Sequence, residues 1–263
     1  MCRLLGYLGR SIELDRILCK PEHSLIVQSY QPREMTAGVV NADGFGVGWY
    51  HPTKDTAPYR YQSILPIWGD VNLPSLSRYV ETGCTLAYVR SATPPATVDF
   101  SSCQPFTFDR LLFVHNGFIH NFRQTLYRRV RELLSDEIYR SIQGTTDSEH
   151  IFALILHEWQ NFPEHSLDLT LQSALHQLTE LAKKASTYFS ANTILSDGKQ
   201  LVASRYSNRH PVPSLYWLRD DPNYPDSVII ASEPLFRGDW NSCPENSVIR
   251  VGENLDLTIH PIA

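Results

Sequence analysis

Four short stretches of the sequence carry side chains that could together act on an amide bond. Cys2 follows the initiator methionine, so removal of Met1 would leave a thiol beside a free α-amine, which is a nucleophile with its own base. An apolar strand-like stretch ends in Arg90, whose guanidinium could hold a carboxylate through two hydrogen bonds. Asn116 and Gly117 follow another apolar run, where an amide and a backbone N–H could stabilise an oxyanion.

Each stretch also has an ordinary structural interpretation. A cysteine near the terminus suits the start of a buried strand, and an arginine at a strand end suits a surface ion pair. Asn-Gly is a common signal for a tight hairpin turn. Asp147 in "GTTDSEH" precedes a helical pattern, so it could cap the helix or accept hydrogen bonds from a substrate ammonium. Taken singly, the patterns leave both interpretations open.

Three alternating glycines in "NADGFGVGWY" indicate a strand that another backbone approaches closely. Gly44, Gly46 and Gly48 do not form G-x-G-x-x-G and no helix follows them, which excludes a dinucleotide-binding loop. We expect the amino-terminal strand to be the close neighbour.

Composition and charge exclude several classes of partner. The net charge of −5 and the lack of a basic segment beyond "YRRVR" at 127–131 argue against nucleic acid. No run of eighteen uncharged apolar residues is present, so no membrane association is expected. The oligomeric state is left open.

The cysteines and histidines indicate neither disulfides nor a metal. Five scattered cysteines without C-x-x-C or a signal peptide predict a reducing, cytoplasmic location. His115 and His120 lie five residues apart, a gap that suits neither one helix face nor one strand face. We therefore expect no metal and no cofactor.

The periodicity predicts strands, then helices, then strands again. Strands are expected at about 2–8, 45–50, 58–65, 84–90 and 111–116, and five more after residue 188, with a turn at Gly198. One helix is expected over "NFRQTLYRRVRELL" with Asn121 as its N-cap, a second with Glu149 in its first turn, and a third along Leu167 to Leu181. This order favours an α+β fold with antiparallel sheets. No linker or repeat is visible, so residues 1–263 are expected to form one domain.

In this order, "MCRLLGY", "DGFGVGW", "VRSAT", "HNG" and "TTDSE" resemble the class II glutamine amidotransferases, which are N-terminal nucleophile (Ntn) hydrolases. The resemblance covers roughly the first 150 residues and implies a four-layer αββα sandwich with two antiparallel sheets between helical layers. It also implies that Cys2 attacks the γ-carbonyl of a glutamyl group to form a thioester, with its α-amine as base. The remaining roles that it implies are an oxyanion hole at Asn116 and Gly117, and substrate binding by Arg90 (α-carboxylate), Asp147 (α-ammonium) and Thr93.

The carboxy-terminal residues and one loop refine this resemblance. No synthase domain follows the helices, and "ASEPLF" resembles the stand-alone branch that includes the ergothioneine-pathway γ-glutamyl hydrolase (EgtC type). Members of that branch cleave γ-glutamyl-hercynylcysteine sulfoxide to glutamate and hercynylcysteine sulfoxide. "CQPF" at 103–106 departs from the ammonia-channelling members and suggests a different leaving-group pocket. The alternatives are a glutaminase subunit that supplies ammonia to a separate synthase, a hydrolase of another γ-glutamyl peptide, and a non-catalytic γ-glutamyl-binding protein.

Overall fold

Two antiparallel sheets pack face to face, and each carries helices on its outer side. The computed structural model describes residues 2–35, 38, 40–91 and 99–262. In chain order the strands are β1 (Arg3–Glu13), β2 (Phe45–Trp49), β3 (Tyr59–Ser63), β4 (Glu81–Val89), β5 (Phe106–Phe108), β6 (Leu111–Ile119), β7 (Phe189–Ser196), β8 (Leu201–Arg205), β9 (Tyr216–Asp221), β10 (Tyr224–Ala231), β11 (Asn241–Ser242), β12 (Ser247–Val251) and β13 (Leu257–Pro261).

The helices fall into two groups. The helices are α1 (Leu14–Leu18), α2 (Leu25–Tyr30), α3 (Leu73–Tyr79), α4 (Phe122–Thr125), α5 (Tyr127–Arg131), α6 (Asp136–Ser141), α7 (Asp147–Asn161) and α8 (Leu167–Lys184). Short 3₁₀ turns lie at Ile67–Gly69 and Phe100–Ser102. Helices α1 to α3 cover one sheet, and α4 to α8 cover the other.

Among the described residues, the first sheet has the strand order β11-β9-β10-β1-β4-β2-β3, and the second has the order β13-β12-β8-β7-β6-β5. In the first sheet β1 is hydrogen-bonded to β10 on one side and to β4 on the other, with Arg3 opposite Val89. The amino terminus therefore lies at the end of the sheet where β4 finishes.

The alternation of side chains on β1 explains the layers. Leu4 and Leu8 join an apolar cluster between the two sheets, whereas Leu5 and Tyr7 pack beneath α1 to α3. A strand that is buried on both faces has apolar residues at successive positions, as "RLLGYL" does. A third cluster fills the space between the second sheet and its helices, including the long pair α7 and α8.

The predicted α+β four-layer sandwich is confirmed, and a strand lies at each predicted place, although the bounds differ. The helix expected over 121–134 is wrong in detail, because it breaks into α4 and α5 at Leu126, where φ is −116°. Asn121 lies at the predicted N-cap position, but its φ of +49° is left-handed and its side chain makes no capping hydrogen bond. Of the apolar residues at helical spacing, Phe122, Leu126 and Val130 are buried, whereas Leu133 is 37% exposed.

The glycine-rich strand β2 has a different close neighbour from the one expected. It lies between β3 and β4, so the amino-terminal strand does not touch it within the sheet. A Cβ on Gly46 would come within 2.0 Å of the carbonyl oxygen of Gln104, and one on Gly48 would meet Leu112 at 2.7 Å. The approaching groups thus come from the second sheet and the segment that leads into it.

Gly46→Ala should lower the free energy of unfolding by about 2–3 kcal/mol, because the new methyl group would push against backbone that cannot rotate away. Gly69→Ala is the matched control, since a Cβ there meets no atom within 4 Å. It should change stability by less than about 0.5 kcal/mol. Urea unfolding of both variants measures the difference, and equal stabilities would contradict the close approach.

Candidate active site

The thiol of Cys2 lies just before β1, at the edge of the apolar cluster between the sheets. Its Sγ is 3.2 Å from the hydroxyl oxygen of Tyr88 and 3.5 Å from the backbone nitrogen of Ser91, which donates to it. The residue is half-buried. Both contacts come from β4 and the residues that follow it, so the pairing of β1 with β4 places the thiol.

Tyr88, two residues before Arg90, supplies the hydroxyl that contacts the Cys2 thiol. It lies on the inward face of β4 with Cys84 and Leu86, spaced two residues apart. Burial raises the pKa of Tyr88 well above its usual value, and the neighbouring thiol raises it further. The phenol therefore stays protonated, and its O–H can donate to a Cys2 thiolate.

Asn116 lies inside β6, not at a strand end. The strand continues to Ile119, opposite Phe189 of β7, so the expected break or hairpin at Asn116 and Gly117 is wrong. The Asn116 side chain is only 1% exposed, and neither its Oδ1 nor its Nδ2 has a hydrogen-bond partner among the described residues. Such a group costs about 1–3 kcal/mol unless something pairs with it, which indicates a ligand site.

Gln104 connects the strand that carries Asn116 to the first sheet. Its carbonyl oxygen rests against Gly46, which lies opposite Tyr88 in the ladder between β2 and β4. Its side chain binds both backbone groups of His115, with Oε1 accepting from the N–H at 2.5 Å and Nε2 donating to the carbonyl at 3.1 Å. Gln104 therefore connects the backbone beside Asn116 to the strand pair that carries Tyr88, the residue that contacts the Cys2 thiol.

Gly117 follows on β6 at a point where β7 comes very close. A Cβ at this position would lie 1.9 Å from the carbonyl oxygen of Ser190. Glycine is thus required by packing, and the oxyanion role of its N–H stays a prediction.

Asp147 begins α7 and is tied to the end of β6. Its Oδ2 accepts from the backbone N–H of Ile119, and its Oδ1 accepts from that of Ser148, each at 2.8 Å. The N-cap is Thr146, whose hydroxyl accepts from the N–H of Glu149, so the capping interpretation of Asp147 is wrong.

His115 joins the start of α7 to the second sheet. Its Nδ1 lies 2.8 Å from the Ser148 hydroxyl, and its Nε2 lies 3.1 Å from the Ser190 carbonyl oxygen. Burial lowers the pKa of His115, against the opposing effects of Asp147 and of the Ser190 carbonyl. The neutral ring donates through Nε2 and accepts through Nδ1, which is a structural role.

Arg90 directly follows β4 and is 4% exposed, so it is not a surface ion pair. Its backbone N–H donates to the Gly44 carbonyl, and its guanidinium lies 3.4 Å from the Asp43 carbonyl oxygen. The "DGFG" turn therefore holds Arg90 at the same end of the first sheet as Cys2. Thr93, the other predicted substrate contact, lies outside the described residues.

A cavity of about 290 Å³ borders the "CQPF" segment. It is lined by polar and aromatic side chains that include Arg60, Gln62, Phe106 and Glu149. Glu149 accepts from the N–H groups of Gln143 and Gly144, so the cavity adjoins the turn that leads into Asp147.

The described residues include neither a cluster of metal ligands nor a membrane-spanning helix. No three His, Cys, Asp or Glu side chains in the described ranges gather closely enough to hold a metal ion. Within those ranges no helix has the length and apolar character that crossing a membrane requires.

Comparison with known proteins identifies the family. The profile of the glutamine amidotransferases class-II matches residues 1–229. The chain belongs to the class-II glutamine amidotransferase family. It is thereby assigned to enzymes that hydrolyse amide bonds.

Relatives cover nearly the whole chain. A probable glutamine amidotransferase, DUG3, from Saccharomyces cerevisiae is 31% identical over 100% of this chain and 84% of its own length. A gamma-glutamyl-hercynylcysteine sulfoxide hydrolase from Mycobacterium tuberculosis is 30% identical over 95% of this chain and 93% of its own. The solved structure of a class-II domain protein from Silicibacter pomeroyi covers 100% of both chains with a TM-score of 0.71 at 24% identity, which supports the fold.

Asn116→Ala should lower kcat by about 10²–10³-fold, because an oxyanion donor is lost. It should change the free energy of unfolding by less than about 1 kcal/mol, because the amide has no partner to lose. Steady-state kinetics and urea unfolding measure the two effects.

Asn192, directly opposite on β7, supplies the matched control. Its Nδ2 donates to the Pro213 and Ser214 carbonyls, so Asn192→Ala should cost about 1–3 kcal/mol of stability. If Asn116→Ala lowered the free energy of unfolding more than Asn192→Ala does, the result would contradict the claim that the Asn116 amide has no partner.

Proposed function

We propose that this chain hydrolyses the γ-glutamyl amide of γ-glutamyl-hercynylcysteine sulfoxide, through a thioester on Cys2, to glutamate and hercynylcysteine sulfoxide. The observation that carries the proposal is the buried Asn116 amide, which is unpartnered among the described residues.

The first chemical step uses the terminus that removal of Met1 creates. An α-amine has a reference pKa of about 7.7–8.0 and a thiol one of about 8.5, so the amine can take the thiol proton at little cost near neutral pH. The thiolate then attacks the γ-carbonyl carbon. The Asn116 Nδ2 and the Gly117 N–H donate to the oxyanion that forms.

Collapse of the tetrahedral intermediate completes the acylation. The C–N bond breaks, the leaving amine takes the proton from the α-ammonium of Cys2, and the γ-glutamyl thioester remains. Water, deprotonated by the same amine, hydrolyses the thioester and releases glutamate. The chemistry needs no metal or cofactor.

The glutamyl end of the substrate is held by opposite charges. Arg90 binds the α-carboxylate and Asp147 binds the α-ammonium, with Thr93 as a further contact. Asp147 is anchored to the end of β6 and Arg90 to the "DGFG" turn, so the two charges are held by different sheets.

The leaving group is proposed from one relative. The Mycobacterium tuberculosis relative carries the name of this hydrolase and aligns over 93% of its own length. All five cysteines are free thiols, which suits the reducing cytoplasm where we place the reaction.

A glutaminase that supplies ammonia to a separate synthase is the second candidate. The yeast relative, named a probable glutamine amidotransferase, is similar to this chain at 31% identity. Such an enzyme would favour glutamine and would need a partner for full activity.

Processed protein should hydrolyse the γ-glutamyl sulfoxide conjugate with a kcat/KM at least about tenfold above that for glutamine, because the larger leaving group adds binding contacts. Release of glutamate from each substrate is measured under the same conditions, with γ-glutamylcysteinylglycine as a third substrate. A higher kcat/KM for glutamine or for the third substrate would overturn the proposed specificity.

Cys2→Ala tests the nucleophile and should reduce the activity by more than about 10³-fold. Cys19→Ala is the matched control, since Cys19 is also half-buried but contacts Ser77 of α3. It should retain the activity of the unmodified chain. Activity that survives Cys2→Ala would overturn the thioester mechanism.

A further inference from the structure

Three charged or titratable side chains are buried together on the outer face of the first sheet, next to Cys2. Arg3 and His23 are each 1% exposed and Glu233 is 0% exposed. Glu233 belongs to the "ASEPLF" segment, which follows β10, and Arg3 is the first residue of β1. The proposed chemistry uses none of the three.

Glu233 is held from four sides. Its Oε1 lies 2.7 Å from the Arg3 Nε and accepts from the Glu34 N–H, and its Oε2 accepts from the His23 ring and the Arg33 N–H. Burial by itself would raise the pKa of Glu233, but the His23 hydrogen bond, the two N–H groups and the Arg3 charge together lower it to about 2. The carboxylate is therefore ionised throughout the physiological range.

Arg3 connects this carboxylate to the nucleophile. Its Nη1 donates to the carbonyl oxygen of Cys2 at 2.8 Å. Its Nε lies 2.7 Å from the Glu233 Oε1 as an ion pair, without the geometry of a hydrogen bond. Since β1 begins at Arg3, Cys2 lies beyond the regular strand. The guanidinium thus fixes the backbone of Cys2, the residue that carries both the thiol and the α-amine.

The ion pair gives no obvious advantage to stability alone. Burying two charges costs several kcal/mol per ion, and apolar residues of similar volume often stabilise a core equally well. This ion pair differs from an ordinary buried pair because Arg3 also binds the carbonyl of Cys2. Glu233 restricts the movement of Arg3, and Arg3 in turn restricts the movement of the Cys2 carbonyl.

We propose that Glu233 is a positioning residue that acts through Arg3 to orient the thiol and α-amine of Cys2 for attack. The proposal rests on the proposed role of Cys2 as nucleophile. His23 and the backbone of 33–34 orient Glu233 in turn.

Glu233→Gln keeps the shape of the side chain but removes the charge that fixes Arg3. We expect kcat per folded molecule to fall by about 10–100-fold, as for a small misplacement of a reacting group, with KM changed by less than about threefold. Arg3→Lys, which keeps the positive charge but loses the planar fork, should give a similar loss. Circular dichroism gives the folded fraction, and intact mass verifies that Met1 is removed from each variant.

Double-mutant analysis tests whether Glu233 acts through Arg3. Glu233→Gln combined with Arg3→Met should be no slower than Arg3→Met alone, because the carboxylate then has no guanidinium to orient. Additive losses in kcat would overturn the proposal. So would a Glu233→Gln variant with the kcat of the unmodified chain.

Glu158→Gln is the matched control for a buried carboxylate. Glu158 on α7 is 4% exposed and accepts from Ser173 and Gln177 of α8, far along the chain from β1. It should lose stability but keep its kcat. An equal loss of kcat in this variant would reduce the Glu233 effect to general destabilisation and overturn the proposal.

A second readout separates this proposal from the proposed function. The rate at which iodoacetamide alkylates Cys2, followed by peptide mass, does not depend on the substrate. The Glu233 and Arg3 variants should change this rate at Cys2 and leave Cys19 unchanged. An unchanged Cys2 rate overturns the positioning role, whereas inactivity of the unmodified chain on every γ-glutamyl substrate overturns the proposed function alone.

Discussion

The contact between Gln104 and Gly46 fixes how the two sheets face each other at the candidate site. The carbonyl of Gln104 occupies the space that any side chain on Gly46 would fill, and its amide holds both backbone groups of His115. Gln104 thus connects the β2–β4 pair of the first sheet to β6 of the second. Tyr88, which contacts the Cys2 thiol, is paired with Gly46, and Asn116 directly follows His115, so both lie next to this connection.

The site combines polar groups that are held by hydrogen bonds with polar groups that have no partner among the described residues. Backbone N–H groups hold the carboxylates of Glu233 and Asp147 in place without a ligand. Asn116 has no partner within the described residues, and the same is true of Ser190 Oγ and Asn192 Oδ1 on the neighbouring strand. In the proposed function, the oxyanion of the substrate supplies the hydrogen-bond partner that Asn116 lacks.

Much of the fold could be predicted from the sequence, because alternation along a strand is a local property. Leu4 and Leu5 on opposite faces of β1 follow from a period of two, and so does the inward row that ends in Tyr88. The neighbour of Gly46 could not be predicted in this way. It depends on how a second sheet, formed by residues more than fifty positions later, packs on the first.

The candidate site was predictable in its residue types but not in its geometry. The sequence Asn-Gly is typical of a turn, but pairing with β7 extends the strand to Ile119. Asn121 has the residue type of an N-cap but adopts a left-handed backbone, which no composition reveals. Arg3 and Glu233 are 230 positions apart, and their pairing exists only because β10 lies beside β1.

The central claim is that the Cys2 thiol carries the γ-glutamyl group during turnover. Rapid mixing with the γ-glutamyl sulfoxide conjugate, an acid quench within one turnover and peptide mass mapping test it directly. The account predicts a hydroxylamine-sensitive glutamyl adduct on the peptide that begins with Cys2, and none on the peptides that contain the other cysteines. Turnover without an adduct on that peptide, or with an adduct on another residue, would contradict the account.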